Sequence, residues 1–247
     1  MARQDVGIQT GDGECRTSVF TPAHGAGPWP GAIFFMDGLG IRPVLFEMAQ
    51  RLADSGFVVL LPDLFYRAGP YEPLDVEAVF ASGDAREALA PLMGSTDNQR
   101  GAQDTRAFLE YLEGRGDVSG SRVGTTGYCM GGAISLTVAG MYPDRIAAAA
   151  SFHGGALATD SELSPHLLVD KIQGRVYIAA ADNDRSYPPA MAARLIEALM
   201  TSSVDHRHDL YVGAAHGWTM ADFPVYNTDA AERHWTELVD LFAETLH

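Results

Sequence analysis

Short apolar runs alternate with longer amphipathic segments along this chain, and that alternation most constrains its fold. Residues 32–36 and 57–61 are the clearest candidates for buried strands. Residues 43–55 between them carry apolar side chains at helical spacing, and Gly56 follows as a stop. A strand, a helix and a second strand in this order are typical of a mainly parallel sheet with crossover helices. The sequence therefore predicts an α/β protein.

The same alternation continues to the end of the chain. It predicts helices at 97–113, 132–141, 189–200 and 228–246, and strands at 122–126, 146–152 and 176–180. Residues 205–212 alternate poorly, but their place before a glycine-containing turn and the final helix suggests one more strand. No composition shift or low-complexity tract marks a linker, so residues 1–247 are expected to form a single domain.

The charge of the chain excludes some classes of partner. Its 32 acidic and 17 basic residues give a formal charge of -15, which repels nucleic acid and anionic lipid surfaces. The first residues lack the apolar stretch of a signal peptide, and no segment has the length needed to span a bilayer. We expect a cytoplasmic protein, a monomer or homodimer, that acts on a small molecule.

The segment Gly127-Tyr128-Cys129-Met130-Gly131-Gly132 follows a predicted strand and opens a predicted helix. A nucleophile elbow needs glycine two residues before and two residues after the nucleophile, because the turn leaves no room for side chains. The glycines flanking Cys129 have this spacing, so Cys129 is the candidate nucleophile. The alternative is a glycine-rich turn that holds a buried structural cysteine, which is also the interpretation of Cys15.

A cysteine nucleophile needs a base, and the base needs an acid that orients it. Of the histidines, His216 is best placed, in a loop after the last predicted strand. Asp182 and Asp184 both lie in the loop after the preceding strand and are both candidates. The order cysteine, aspartate, histidine is that of the α/β-hydrolase fold. A second hypothesis makes His153, after another strand, the base instead.

Two backbone amides are expected to form the oxyanion hole. The N–H of Met130 lies at a helix N-terminus directly after the nucleophile, and that of Gly38 lies in the loop after the first buried strand. Asp37 would then lie beside the thiol. A carboxylate there opposes thiolate formation unless it is protonated or paired, so Asp37 is predicted to modulate the thiol.

These motifs resemble those of the dienelactone hydrolases, also called carboxymethylenebutenolidases. The resemblance runs from about Pro30 to the last helix, and it rests on the cysteine elbow and on three further segments, residues 61–67, 184–188 and 215–217. It implies an α/β-hydrolase fold. In that family the acid lies four residues before a proline, and this favours Asp184, which precedes Pro188 by four, over Asp182.

The chain departs from the family at two places. The family has a glutamate followed by a bulky apolar residue in the first oxyanion loop, where this chain has Asp37 and Gly38. The family also binds a substrate carboxylate through arginines, one of them four residues after the histidine, where this chain has Met220. Other residues are therefore candidates for substrate binding, namely Arg42, Arg67, Arg86 and Trp218.

The sequence thus predicts a hydrolase of a small dienelactone-like lactone or activated ester, with a Cys129, His216 and Asp184 triad and an acyl-enzyme. The mechanism needs no cofactor, and no metal site is predicted, because His206 and His208 lack a third ligand. Two alternatives remain open. One is another α/β-hydrolase esterase or thioesterase that uses the same cysteine, and the other is a non-catalytic binding or redox domain with a reactive thiol.

Overall fold

The computed structural model describes residues 2–82 and 85–246, without the side chains of residues 2, 85 and 86. Within them, eight strands form one sheet in the order β1-β2-β4-β3-β5-β6-β7-β8. The strands are β1 (Ala2–Thr10), β2 (Gly13–Thr21), β3 (Trp29–Phe35), β4 (Val58–Pro62), β5 (Val118–Tyr128), β6 (Ile146–Phe152), β7 (Arg175–Asn183) and β8 (His206–Ala215). Strands β3 to β8 are mutually parallel, whereas β1 and β2 form an antiparallel hairpin that joins the sheet beside β4.

The helices follow the predicted pattern, with two additions. They are α1 (Pro43–Asp54), α2 (Val76–Ala81), α3 (Ala85–Met93), α4 (Asn98–Glu113), α5 (Met130–Met141), α6 (Pro189–Thr201) and α7 (Thr228–Thr245), with short 3-10 helices at Tyr66–Ala68 and Pro165–Lys171. Helices α2 and α3 and the hairpin were not predicted. No described helix has both the length and the apolar character needed to cross a membrane.

The core lies on both faces of the central strands. Strands β4 and β6 are buried along their whole length, and β6 contacts both α5 and α7. Strands buried on both faces have continuous apolar sequences rather than alternating ones, which is why they could be recognised. The predicted mainly parallel sheet, with helices on both faces, is confirmed. Its carboxyl edge, where parallel sheets place their ligands, carries the candidate site.

Candidate active site

Cys129 lies in a sharp turn between β5 and α5. Its backbone has φ 54° and ψ −115°, a conformation that residues other than glycine rarely adopt. A Cβ atom on Gly127 would lie 1.9 Å from the carbonyl oxygen of Gly131, and one on Gly131 would lie 2.4 Å from that of Phe35. The turn therefore excludes any side chain at these two positions, which is the steric requirement of a nucleophile elbow.

Backbone hydrogen bonds hold the elbow against the loop that follows β6. The Cys129 N–H donates to the carbonyl oxygen of Phe152 at 3.2 Å, and the Cys129 carbonyl accepts from Gly155 at 3.2 Å and from Gly132 at 3.1 Å. The side chain is partly exposed and lines a cavity. Since its backbone is tied on both sides, the sulfur has a defined position at the carboxyl edge of the sheet.

Strand register brings the acid and the histidine together. Asn183 in β7 pairs with Ala215 in β8, so the next residues of the two strands, Asp184 and His216, emerge side by side. The His216 Nδ1 atom lies 2.7 Å from the Asp184 Oδ2 atom, and the other carboxylate oxygen accepts the Ser186 N–H at 2.7 Å. The side chain of Asp184 is only 1% exposed.

The second candidate acid lies elsewhere. Asp182 is exposed, and its Oδ2 atom accepts the N–H of Gly213 at 3.1 Å. This bond ties the ends of β7 and β8 together but leaves the carboxylate with no role at the imidazole. Of the two aspartates in the predicted loop, the structure brings Asp184 to the histidine.

The surroundings of His216 favour its protonated form. Burial by itself would lower the pKa of His216, but the thiolate form of Cys129 and the hydrogen-bonded carboxylate of Asp184 outweigh it and raise that pKa to about 10. The imidazole therefore lies between the sulfur of Cys129 and a buried carboxylate, and the thiolate and the carboxylate both stabilise the imidazolium. This geometry can take a proton from the thiol and hold it for a leaving group.

The two backbone amides predicted to form an oxyanion hole lie at the start of α5 and in the loop after β3. Met130 is the first residue of α5, so its N–H has no acceptor within the helix. Gly38 follows β3, and a Cβ there would meet the sulfur of Met93 at 3.2 Å, so the missing side chain lets the end of α3 approach. Gly131 packs on the carbonyl of Met36, which brings the elbow and the β3 loop into contact. The loop that carries Gly38 therefore packs against the elbow that carries Met130.

Asp37 belongs to the same loop as Gly38, is buried, and forms an ion pair. Arg42 donates to both of its oxygens, at 2.7 and 2.8 Å, and the Leu39 N–H adds a third bond at 2.9 Å. Arg42 also donates to Asp222 at 2.6 and 3.3 Å and to the carbonyl oxygen of Gly40 at 3.2 Å. The Arg42 guanidinium balances the negative charge of this buried carboxylate locally.

Two of the three arginines predicted to bind substrate have other partners. Arg42 is 3% exposed and makes the five hydrogen bonds just described. Arg67 donates to both oxygens of Asp104, at 2.9 and 2.7 Å, and to Asp12 at 2.8 Å. The structure does not bring either guanidinium to the cavity beside the cysteine. The side chain of Arg86 lies outside the described residues.

Trp218 and His153 form an aromatic layer under His216. Trp218 is fully buried and stacks on Tyr211 with ring centroids 4.9 Å apart, so it supports the site from below rather than facing the cavity. His153 is also buried, lies edge-on to His216 at 5.2 Å, and shares a 2.7 Å hydrogen bond with Thr219. Burial, with His216 nearby, holds the pKa of His153 well below its usual value.

The cavity at Cys129 has a volume of about 750 Å³. Its walls come from the end of α3, the start of α4, the first turns of α5 and the loop after β6, which places Met93, Ile134 and Leu163 around the thiol. No sequence motif marks these wall residues, so they were not predicted. Within residues 2–82 and 85–246, no three His, Cys, Asp or Glu side chains are arranged to hold a metal ion.

An eight-stranded, mostly parallel sheet with a cysteine elbow after β5, an acid after β7 and a histidine after β8 defines an α/β-hydrolase. Comparison of the sequence with protein families narrows this class to one family. Residues 15–246 match the dienelactone hydrolase family, and the chain belongs to that family. The resemblance recognised from the motifs is thereby confirmed, and the chain is a hydrolase of the lactone and ester class.

Individual relatives are distant but cover most of the chain. A candidate carboxymethylenebutenolidase of Synechocystis sp. is 28% identical over 228 residues, which cover 89% of this chain and 88% of that protein. The carboxymethylenebutenolidase of Pseudomonas putida is 28% identical over 169 residues, 68% of this chain and 67% of its own. A crystal structure of a candidate dienelactone hydrolase from Klebsiella pneumoniae superposes with a TM-score of 0.83 at 20% identity, covers 98% of both chains, and supports the fold alone.

Proposed function

We propose that this hydrolase cleaves small lactones or activated esters through a Cys129, His216 and Asp184 triad that forms an acyl-enzyme. The observation that carries the proposal is the 2.7 Å bond between His216 and the buried Asp184, formed where His216 also faces the thiol of a strained elbow. One of the relatives is named as a carboxymethylenebutenolidase, which supports a lactone as the class of substrate.

The reaction proceeds in two halves. In the first, His216 takes the thiol proton, the Cys129 sulfur adds to the substrate carbonyl carbon, and the N–H groups of Met130 and Gly38 receive the oxyanion. The intermediate collapses to a thioester as the C–O bond breaks and His216 returns the proton to the leaving oxygen. In the second half, His216 deprotonates a water that attacks the thioester, and the acid product leaves with the free thiol restored.

The chemistry of sulfur sets the expected order of substrates. A thiolate is itself a good leaving group, so the first intermediate goes forward only if the alcohol departs at least as readily. Enol lactones and aryl esters meet that condition because their leaving oxygens are stabilised anions, whereas amides do not. We expect activity to fall in the order enol lactone or aryl ester, alkyl ester, peptide.

The two cysteines provide a matched test of the nucleophile. Cys15 is fully buried, and burial raises the pKa of its thiol to about 12, so it is unreactive. Intact-mass measurement after rapid mixing with an enol lactone should show an acyl adduct on the wild-type protein and on Cys15→Ala, and none on Cys129→Ala. An adduct that persists in Cys129→Ala refutes the proposal.

The same variants separate hydrolysis from redox sensing. A purely redox-sensing thiol would be oxidised by peroxide at Cys129 without turning over any ester. Multiple-turnover hydrolysis that depends on Cys129 contradicts that alternative. Reactivity with peroxide in the absence of any ester or lactone turnover would favour it.

A further inference from the structure

The cavity at Cys129 contains almost no charge. Among the described side chains that line it there is no lysine, arginine or histidine, and the single charged one is Asp97. Large apolar side chains, Met93, Met130, Ile134 and Leu163, make up much of the remaining wall. The His216 imidazolium faces the thiol but is already paired with Asp184. A substrate carboxylate that entered this space would therefore lose water without gaining an unpaired cation, and an uncompensated charge is costly to bury.

Asp97 adds repulsion at the mouth. It is the N-cap of α4, where one carboxylate oxygen accepts the Arg100 N–H at 2.8 Å, and its side chain is 52% exposed. The Arg100 guanidinium lies 3.6 Å from the other oxygen, and it also donates to the carbonyl of Gly94. This cation partly balances Asp97, but its own side chain is 45% exposed and it does not line the cavity.

The remaining polar wall offers hydrogen bonds without charge. Residues with hydroxyl and amide side chains, Thr96, Asn98, Gln99 and Ser186, also line this cavity. The Oγ1 atom of Thr96 is buried and has no hydrogen-bond partner within the described part of the protein. Neutral acceptors and donors such as ester, ether and hydroxyl oxygens suit these groups, because they can be bound without the desolvation cost of an ion.

We propose that this site selects uncharged lactones and esters over anionic ones, and that Asp97 is a specificity-determining residue that disfavours a substrate carboxylate. The inference rests on the proposed function and narrows its substrate class. The formal charge of -15 on the whole chain acts in the same direction, since it repels anions before they reach the cavity.

The test compares 4-nitrophenyl hydrogen adipate with its methyl ester, in which one methyl group replaces the negative charge of the free carboxylate. Cys129-dependent kcat/KM should be at least about tenfold higher for the methyl ester, the ratio expected for one poorly compensated charge. Asp97→Asn keeps a capping side chain but removes the charge. This variant should lower the ratio of the two kcat/KM values by a factor of about 3 to 10, mainly because the KM of the anionic ester falls.

Asp75 provides the matched control. It caps α2 as Asp97 caps α4, by accepting the Ala78 N–H, but it does not line the cavity. Asp75→Asn should leave the ratio at its wild-type value. Equal kcat/KM for the two esters, a ratio that Asp97→Asn leaves unchanged, or a ratio that Asp75→Asn changes as much as Asp97→Asn does would overturn the proposal.

A third variant covers the part of α3 whose side chains are not described. A wild-type preference for the anionic ester that disappears in Arg86→Gln would show that this arginine supplies a cation, and would also overturn the proposal. Absence of any Cys129-dependent hydrolysis of either ester would instead refute the proposed function, and this inference with it. The two failures are therefore distinguishable.

Discussion

Replacement of Asp184 by asparagine removes one charge from the site and little else. The introduced amide would keep an oxygen to accept the Ser186 N–H, so the loop after β7 should stay in place. The charge-assisted bond to His216 is lost. Because the Asp184 side chain is 1% exposed, that bond is not weakened by solvent, and a charge-assisted hydrogen bond of this kind contributes about 1.5–3 kcal/mol.

That energy predicts two measurable changes. A loss of about 1.5–3 kcal/mol from the transition state lowers kcat/KM by about 10- to 150-fold. The same loss from the imidazolium brings the pKa of His216 down from about 10 to about 8 or 9. The alkaline limb of the pH profile of kcat/KM should therefore move to lower pH in the Asp184→Asn protein.

Asp182→Asn is the control, because it makes the same chemical change in the same loop, at an exposed carboxylate that does not reach the histidine. The assay is the steady-state hydrolysis of a 4-nitrophenyl ester between pH 6 and pH 11, with urea unfolding of each variant to verify that it is folded. Wild-type kcat/KM and an unmoved alkaline limb in Asp184→Asn would refute the reasoning, as would an equal loss in Asp182→Asn.

Three further predictions concern stability and the roles of the histidines. Since the pKa of His216 is raised from 6.5 to about 10, its stabilising effect is complete below pH 6.5 and is lost as the pH rises through about 10. Urea unfolding should show that loss in the wild type but not in His216→Gln. Arg42→Met leaves Asp37 buried without its partner and should lower the free energy of unfolding by about 3–5 kcal/mol. Arg106→Met is the control, because it removes an exposed ion pair and should lower the free energy of unfolding by less than about 1 kcal/mol. His153→Phe should reduce kcat by less than about tenfold, the effect of one lost neutral hydrogen bond, whereas His216→Phe abolishes turnover; the reverse result would make His153 the base.

Much of the sheet could be predicted because its central strands are locally distinctive. Strands β3, β4 and β6 are short apolar runs between amphipathic helices, and this pattern depends only on neighbouring residues. The hairpin β1–β2 was missed. Its first strand has a polar sequence at the edge of the sheet, and it is held by pairing with β2 rather than by burial of an apolar run.

The candidate site likewise contains residues that could be predicted from the sequence and residues that could not. The glycine spacing around Cys129 could be recognised because the whole motif lies within six consecutive residues, although one of its steric limits, at Gly131, is set by the carbonyl of Phe35 in β3. The family resemblance then favoured Asp184, whose position beside His216 depends on the register of two strands. Nothing in the sequence marked Asp222, which pairs with Arg42 across 180 positions of the chain.

The sequence by itself determined the class of fold, the candidate nucleophile and the order of the proposed triad, since periodicity and turn geometry are local properties. Only the tertiary structure decided that Arg42 and Arg67 are committed to carboxylates, that Trp218 is buried, and that the described wall of the cavity beside Cys129 carries a single charge, an acid. The physical reason is that a charged or aromatic side chain acts through its partners. Those partners are brought to it by folding from distant parts of the chain.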